Sequence, residues 1–181
     1  MAASLRANVV FPEPLLPTTT MRFIAVLPSQ TMVAGPYVIR RVMSLPDGCD
    51  GLLESSVVEG YDLVDRLVRD WNDGTNRFEG EGEALFAALS GQWLGGIGGL
   101  NRDPYIEDPG VGRIRHLYVS PEARGRGTGR ALVEALVDHA RGRFERVRLR
   151  ATPPGASDFY IRLGFEETQD EQASTHQIWL S

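Results

Sequence analysis

The chain of 181 residues is 42% hydrophobic, 8% aromatic and 24% charged, a balance that excludes a collagen repeat, a coiled-coil rod and wholesale disorder. Its 19 basic and 24 acidic residues give a formal net charge of −5, the wrong sign for gripping a nucleic acid backbone, so no nucleic acid partner is expected. A chain of this length buries roughly 70% of its unfolded surface, enough for one core without disulfides or a structural metal.

Cys49 has no second cysteine to pair with and reads as a small hydrophobe. No Cys/His cluster has zinc spacing, which suits a reducing, cytoplasmic setting. No apolar run approaches the roughly 18 residues of a membrane span, so no membrane partner is expected. Residues 1–34, broken by Pro12, Pro14, Pro17 and Pro28, read as a flexible N-terminal extension ahead of a single domain over 35–181.

Within that domain Tyr37 to Met43 is short, β-branched and bounded by prolines, which predicts a first strand. Leu63, Val64, Leu67, Val68 and Trp71 recur at helical spacing with charges between them, and the pattern stops near Asn72-Asp73-Gly74. Glu83 to Ser90 and Gln92 to Leu100 read as strands joined at Ser90-Gly91. The second carries Gly95, Gly96, Gly98 and Gly99, which predicts bulges or close approach of another backbone or a ligand. A loop over 101–110 leads to a strand from Arg113 to Val119. A helix from about Gly127 to Arg141, a strand from Arg146 to Ala151, a short helix near 156–163 and closing strands near Phe165 and Gln177 follow.

The chemistry is concentrated where the strand ending at Val119 runs into Arg124-Gly-Arg-Gly-Thr-Gly-Arg130 and then a helix. Glycines at 125, 127 and 129 let successive N–H groups converge, and the helix adds a positive dipole end. Arg124, Arg126 and Arg130 add charge, so a diphosphate is the natural ligand. There is no P-loop, and the turn lacks the context of a dinucleotide fold.

Arg124, Gly127 and Gly129 match the acetyl-CoA signature [Arg/Gln]-x-x-Gly-x-[Gly/Ala], and the segment resembles the GNAT N-acetyltransferase superfamily. Leu117-Tyr118-Val119-Ser120-Pro121 resembles that family's strand into the signature, and Tyr160-Ile161-Arg162-Leu163-Gly164-Phe165 its later Tyr-x-x-x-Gly-Phe element. The resemblance covers roughly residues 36 to 181. It implies an α/β fold with a mixed, splayed central sheet of about six to seven strands flanked by helices, splaying after the strand that ends at Val119. It also implies acetyl-CoA as co-substrate, with the backbone of Leu117, Tyr118 and Val119 along the pantetheine arm. Arg124, Gly125, Arg126, Gly127, Thr128, Gly129 and Arg130 would hold the diphosphate. The implied reaction is direct attack by a primary amine, on a small molecule or a protein, in one ternary complex without a metal. A non-catalytic acyl-CoA-binding or regulatory module is the alternative.

The resemblance points to Tyr160 as general acid for the departing thiolate. Relatives often carry a glutamate where this chain has Arg113, which leaves His116 as the named base, with Glu81, Glu83, Glu107 and Asp108 as alternatives. Pro153 stands where relatives often have a cofactor-touching asparagine. Segments 50–80 and 101–110 are expected to wall the acceptor site, where Asp103, Glu107 and Asp108 could attract a cation. His139 and His176 are expected to be structural. Edge strands offer a route to a homodimer.

Overall fold

A computed structural model describes residues 32–152, 155–168 and 173–181. Residues 1–31 of the expected extension, and Pro153, lie outside the described residues. Among the described residues eight strands form one sheet: β1 (Met32–Ala34), β2 (Tyr37–Val42), β3 (Ala84–Ser90), β4 (Trp93–Arg102), β5 (Val111–Val119), β6 (Arg146–Leu149), β7 (Glu166–Glu167) and β8 (His176–Trp179). Their order is β1-β2-β3-β4-β5-β6-β8-β7. The strand beyond the expected six to seven is β1. Its residues fall in the segment read as extension, yet Met32 and Ala34 pair with Ile39 and Tyr37 across a tight turn at Gly35.

Neighbouring strands run antiparallel except β5 and β6, which are parallel and joined by a crossover through α3 (Thr128–Ala140). That connection is what parallel strands require. Helices α1 (Cys49–Val58) and α2 (Leu63–Asp73) cover one face. There Leu52, Val64, Leu67, Phe78, Leu85, Ile97 and Tyr118 form a buried cluster. Cys49 belongs to it, and burial pushes its thiol up to about 11, so it behaves as the expected small hydrophobe. Trp71 is half-buried against the same cluster. On the outer side of α2, Asp62–Arg66 and Asp65–Arg69 form ion pairs one turn apart, at 3.3 and 3.1 Å.

Helices α3 and α4 (Ala156–Ile161) pack on the opposite face with Phe86, Leu100, Ile114, Leu132, Leu136 and Tyr160. No helix among the described residues is long and apolar enough to cross a membrane.

The glycines of β4 admit both backbone and side chains. A Cβ on Gly96 would meet the Tyr118 carbonyl, one on Gly99 would collide with the Phe78 ring, and one on Gly95 with the Tyr37 ring. Two features of β5 set up the site. Its pairing with β6 covers only Val111, Gly112 and Arg113, so the sheet splays between the strand that ends at Val119 and the next one, and the gap opens from Ile114 onward. Opposite Gly98, β5 also carries an extra residue, because the register passes from Ile97↔Tyr118 to Gly99↔Arg115. His116 sits in this bulge at φ 53, a left-handed conformation that histidine enters more readily than most residues.

Candidate active site

A cavity of about 920 Å³ opens in the splay. Its floor is β5 from Arg113 to Val119. One wall is the end of β6 with α4, including Phe159 and Tyr160. The other is the α1–α2 corner, Gly60 to Leu63. Because β5 has no partner strand among the described residues on that side beyond Arg113, Ile114 to Val119 present an open backbone edge to the cavity.

At the end of β5 a short turn over Pro121–Ala123 leads into the glycine-rich segment. Gly125 and Gly127 adopt φ 69 and 80, which L side chains rarely enter. A Cβ at either would meet nothing within 4 Å, so backbone shape, and not space, calls for glycine. Gly127 caps α3 with no side-chain hydrogen bond, and the first turn holds no acidic residue. Its N–H groups therefore form an unneutralised positive end. The Thr128 hydroxyl is buried and donates to the Ala123 carbonyl at 2.9 Å, so that side chain fastens the turn while its backbone belongs to the helix start.

The three arginines differ in how they are engaged. Arg124 donates from both terminal nitrogens to Glu59, at 2.7 and 2.5 Å, and from Nε to the Val119 carbonyl at 3.0 Å. Arg126 and Arg130 are exposed and use Nε on Glu122 O and Glu134 Oε1. Glu59 also accepts the Tyr118 hydroxyl at 2.6 Å, and Ser55 donates to that hydroxyl at 3.0 Å. The Arg124 hydrogen bonds, then that of Tyr118, hold the Glu59 carboxyl below its ordinary range. Burial, then Glu59, pushes the Tyr118 hydroxyl up.

Tyr160 is buried, with its ring 5.0 Å from Phe159, 5.7 Å from Phe165 and 5.9 Å from His176 between centroids. It lines the cavity, and its hydroxyl has no hydrogen-bond partner among the described residues. Burial pushes that hydroxyl up to about 12, so it stays protonated through neutral and mildly basic pH.

His116 is placed otherwise. Its Nδ1–H donates to the Leu63 carbonyl at 3.0 Å, which leaves the lone pair on Nε2. Nε2 is shielded from solvent, with no hydrogen-bond partner among the described residues and the Asp70 carboxylate 3.9 Å away. Burial lowers the ring to about 4. The imidazole is thus neutral at pH 7, and its lone pair is turned away from solvent. This geometry suits tying the β5 bulge to the start of α2 better than receiving a proton.

Glu81, Glu83, Glu107 and Asp108 do not line the cavity. Glu83 is taken up by the amides of Gly80 and Arg102, at 3.2 and 3.1 Å. Asp108 accepts from the Gly110 amide at 2.8 Å. Asp103 is not an exposed lure for cations: its fully buried carboxylate accepts from Arg113 at 3.4 Å and Arg148 at 3.2 Å. His176 is satisfied on both nitrogens, by Ser157 at 3.0 Å and Thr175 at 2.9 Å. His139 lies buried against Phe86. Sequence reasoning missed Glu59, Tyr105 and Arg115. Glu59 follows a helix with little amphipathic signal, and the other two gain meaning only from the strand and loop they sit on.

A sequence profile of the acetyltransferase (GNAT) family matches residues 50–165. A solved structure of a protein classed as an acetyltransferase, from Exiguobacterium sp. 255-15, is 34% identical. The match spans 79% of this chain and 93% of that one, with a TM-score of 0.70. A protein classed as an acetyltransferase from Salmonella typhimurium, solved with its cofactor acetyl-CoA, shares the fold at 15% identity and TM-score 0.59, over 79% of this chain and 94% of that one. Glucosamine 6-phosphate N-acetyltransferase 1 from Oryza sativa subsp. japonica is 43% identical over 58 residues, 32% of this chain. The matched stretches span only 30% and 34% of the curated relatives' lengths.

Proposed function

The chain belongs to the acetyltransferase (GNAT) family, and from that premise we propose that it is an acetyl-CoA-dependent N-acetyltransferase acting on a primary amine in a ternary complex. The observation that carries this reading is the continuity of one surface. The open edge of β5 from Ile114 to Val119 runs directly into the left-handed turn at Gly125 and Gly127 and the bare start of α3. An extended amide-bearing arm ending in a diphosphate fits that surface. Leu117, Tyr118 and Val119 would pair with the arm through their backbones. The N–H groups from Arg124 to Arg130 would hold the phosphates, and the Arg126 and Arg130 side chains would add charge.

Acetyl-CoA supplies an acyl carbon on a thiol leaving group whose pKa near 8.5 calls for only modest acid catalysis. The amine forms the C–N bond to give a tetrahedral adduct, and as that adduct collapses the C–S bond breaks and the Tyr160 hydroxyl gives its proton to the departing sulfur. The proton lost by the amine returns to the tyrosine oxygen through water, so the sum is one amide and one thiol. A β5 amide at the splay would stabilise the tetrahedral oxyanion, an effect of about 3 to 4 kcal/mol per donor elsewhere. We assign His116 to positioning, since it holds the bulge that orients this edge. A cytoplasmic setting suits the free thiol of Cys49.

Thiol release from acetyl-CoA with a panel of amines tests the reading. Turnover on at least one amine, reduced in Tyr160→Phe with cofactor affinity kept, supports it. The non-catalytic module draws support from Arg113, which occupies the place of the expected glutamate and is held in a buried ion pair. Tight binding of acetyl-CoA without turnover on any amine would favour that module.

A further inference from the structure

Besides Arg124 beside the diphosphate cradle, four arginines border the cavity, Arg66, Arg113, Arg115 and Arg150, against one carboxylate, Asp62, among the described residues. This sign opposes the chain's formal net charge of −5, so the wall is not a sample of the general surface. Asp62 is already engaged by Arg66, at 3.3 Å.

Two of these arginines sit on β5 itself, two residues apart and therefore facing one side of the strand. Arg113 is fixed in place: it donates to Asp103 and to the Ala173 carbonyl, and its guanidinium lies 4.9 Å over the Tyr105 ring. Arg115 is half-buried, ion-paired with Asp70 at 3.9 Å, and borders both this cavity and a second one that holds Asp70, Glu79 and Glu83. At that distance it makes no hydrogen bond to Asp70, so its donors are available to an incoming oxyanion. At the rise of an extended strand, Arg113 lies about 20 Å from the end of β5 where the cradle begins. The same phosphates cannot engage both ends.

We infer that the acceptor is an amine bearing its own anionic group, a carboxylate or a phosphate, which Arg115 receives with Arg113 behind it. The inference rests on the acetyl-transfer reading above. The chain contains no lysine, so every cation in the wall is an arginine and keeps its charge across the working pH range.

The test offers acetyl-CoA together with an amino acid, the carboxamide of that amino acid, an aminoalkyl phosphate or a diamine, and reads thiol release. The expected result is a kcat/KM about 10- to 100-fold higher for the amino acid or the aminoalkyl phosphate than for the carboxamide and the diamine, the worth of one or two charge-assisted hydrogen bonds. Which of the two leads tells carboxylate from phosphate. Arg115→Gln should erase the preference through KM, with the calorimetric dissociation constant of acetyl-CoA unchanged. Arg115→Lys, which keeps charge but loses the fork, should restore part of it. As a readout apart from turnover, the preferred anionic amine should bind the complex of the protein with coenzyme A more tightly than its neutral counterpart does. Equal or better turnover of the carboxamide or the diamine overturns this inference and leaves the acetyl-transfer reading standing. No turnover of any acceptor overturns both.

Discussion

Arg124 grips Glu59 with both terminal nitrogens, at 2.7 and 2.5 Å, so the first cation of the signature fastens the α1–α2 corner to the end of β5. The cradle is then mainly a backbone device, and substitutions should rank accordingly. Arg124→Ala should weaken acetyl-CoA binding by less than about fivefold, since a half-exposed ion pair contributes little. Gly127→Val should weaken it by about 100-fold, because a β-branched residue resists the left-handed conformation that aims the amides. Glu59→Gln removes an anion beside the phosphate site and should tighten binding at low salt, with the gain fading in 0.5 M salt. Calorimetric titration of acetyl-CoA into each variant checks the ranking, and Arg124→Ala proving worse than Gly127→Val would reverse it.

Tyr160 lines the cavity, and its hydroxyl has no partner among the described residues. Tyr160→Phe deletes that oxygen and little else, because the ring keeps its contacts with Phe159, Phe165 and His176. The expected loss in kcat is about 100-fold, the usual yield of a positioned proton donor, with the acetyl-CoA dissociation constant unchanged. A hydroxyl pushed up to about 12 also predicts no falling limb from this residue in the kcat profile below about pH 10. Single-turnover measurement of the acyl-transfer step would separate the chemistry from product release. An unchanged transfer rate in Tyr160→Phe would assign the residue to packing.

Much of this arrangement was legible before the structure. The strand-turn-helix around Arg124 to Arg130 could be read because glycines at 125 and 127 announce a left-handed backbone. The α2 stripe of Leu63, Val64, Leu67, Val68 and Trp71 could be read because its period is helical. Helix α1 could not, since Gly51 and two serines interrupt its apolar positions, and so Glu59 at its end had no visible role. The glycines of β4 were legible as close approaches, but what approaches them, Phe78 and Tyr37, is settled by tertiary packing. The fate of Asp103 was hidden for a related reason: an acid in a polar loop looks solvated until two strands, β5 and β6, bring Arg113 and Arg148 to it.

Asp103 is the hub of a buried ionic cluster beside the cavity. Its carboxylate is fully buried and receives both Arg113 and Arg148. Asp103→Asn leaves those guanidinium groups without their shared anion, and removing one partner from a buried ionic cluster costs about 3 to 5 kcal/mol. At roughly 2 to 4 °C per kcal/mol for a chain of this size, Tm should fall by about 6 to 20 °C. Thermal unfolding followed by circular dichroism checks this, and a shift within 2 °C would mean that the cluster is not a cohesive unit. Because Arg113 also stacks on Tyr105, the variant that still folds should show a raised KM for the acceptor.

His116 and His139 make stability depend on mildly acidic pH. Burial lowers both to about 4; Arg115 works in the same direction at the first ring and Arg143 and Arg41 at the second, and at His116 the Leu63 hydrogen bond and Asp70 oppose the shift. In the unfolded chain each ring takes up its proton near pH 6.5. Between pH 6.5 and 4 the unfolded state therefore holds protons that the folded state does not, and stability falls as pH is lowered through that window. Above pH 6.5 both states are neutral at these rings, and neither contributes a slope. The steepest loss is about 1.4 kcal/mol per pH unit per histidine, on the order of 3 kcal/mol each over the full window. Urea unfolding at pH 7.0, 6.0, 5.0 and 4.5 should show this decline, and His139→Gln should make it shallower by about half. The same reasoning separates a structural His116 from a catalytic one. His116→Gln should lower stability while leaving the shape of the kcat/KM profile unaltered, whereas loss of a rising limb in that variant would return His116 to the role of proton acceptor.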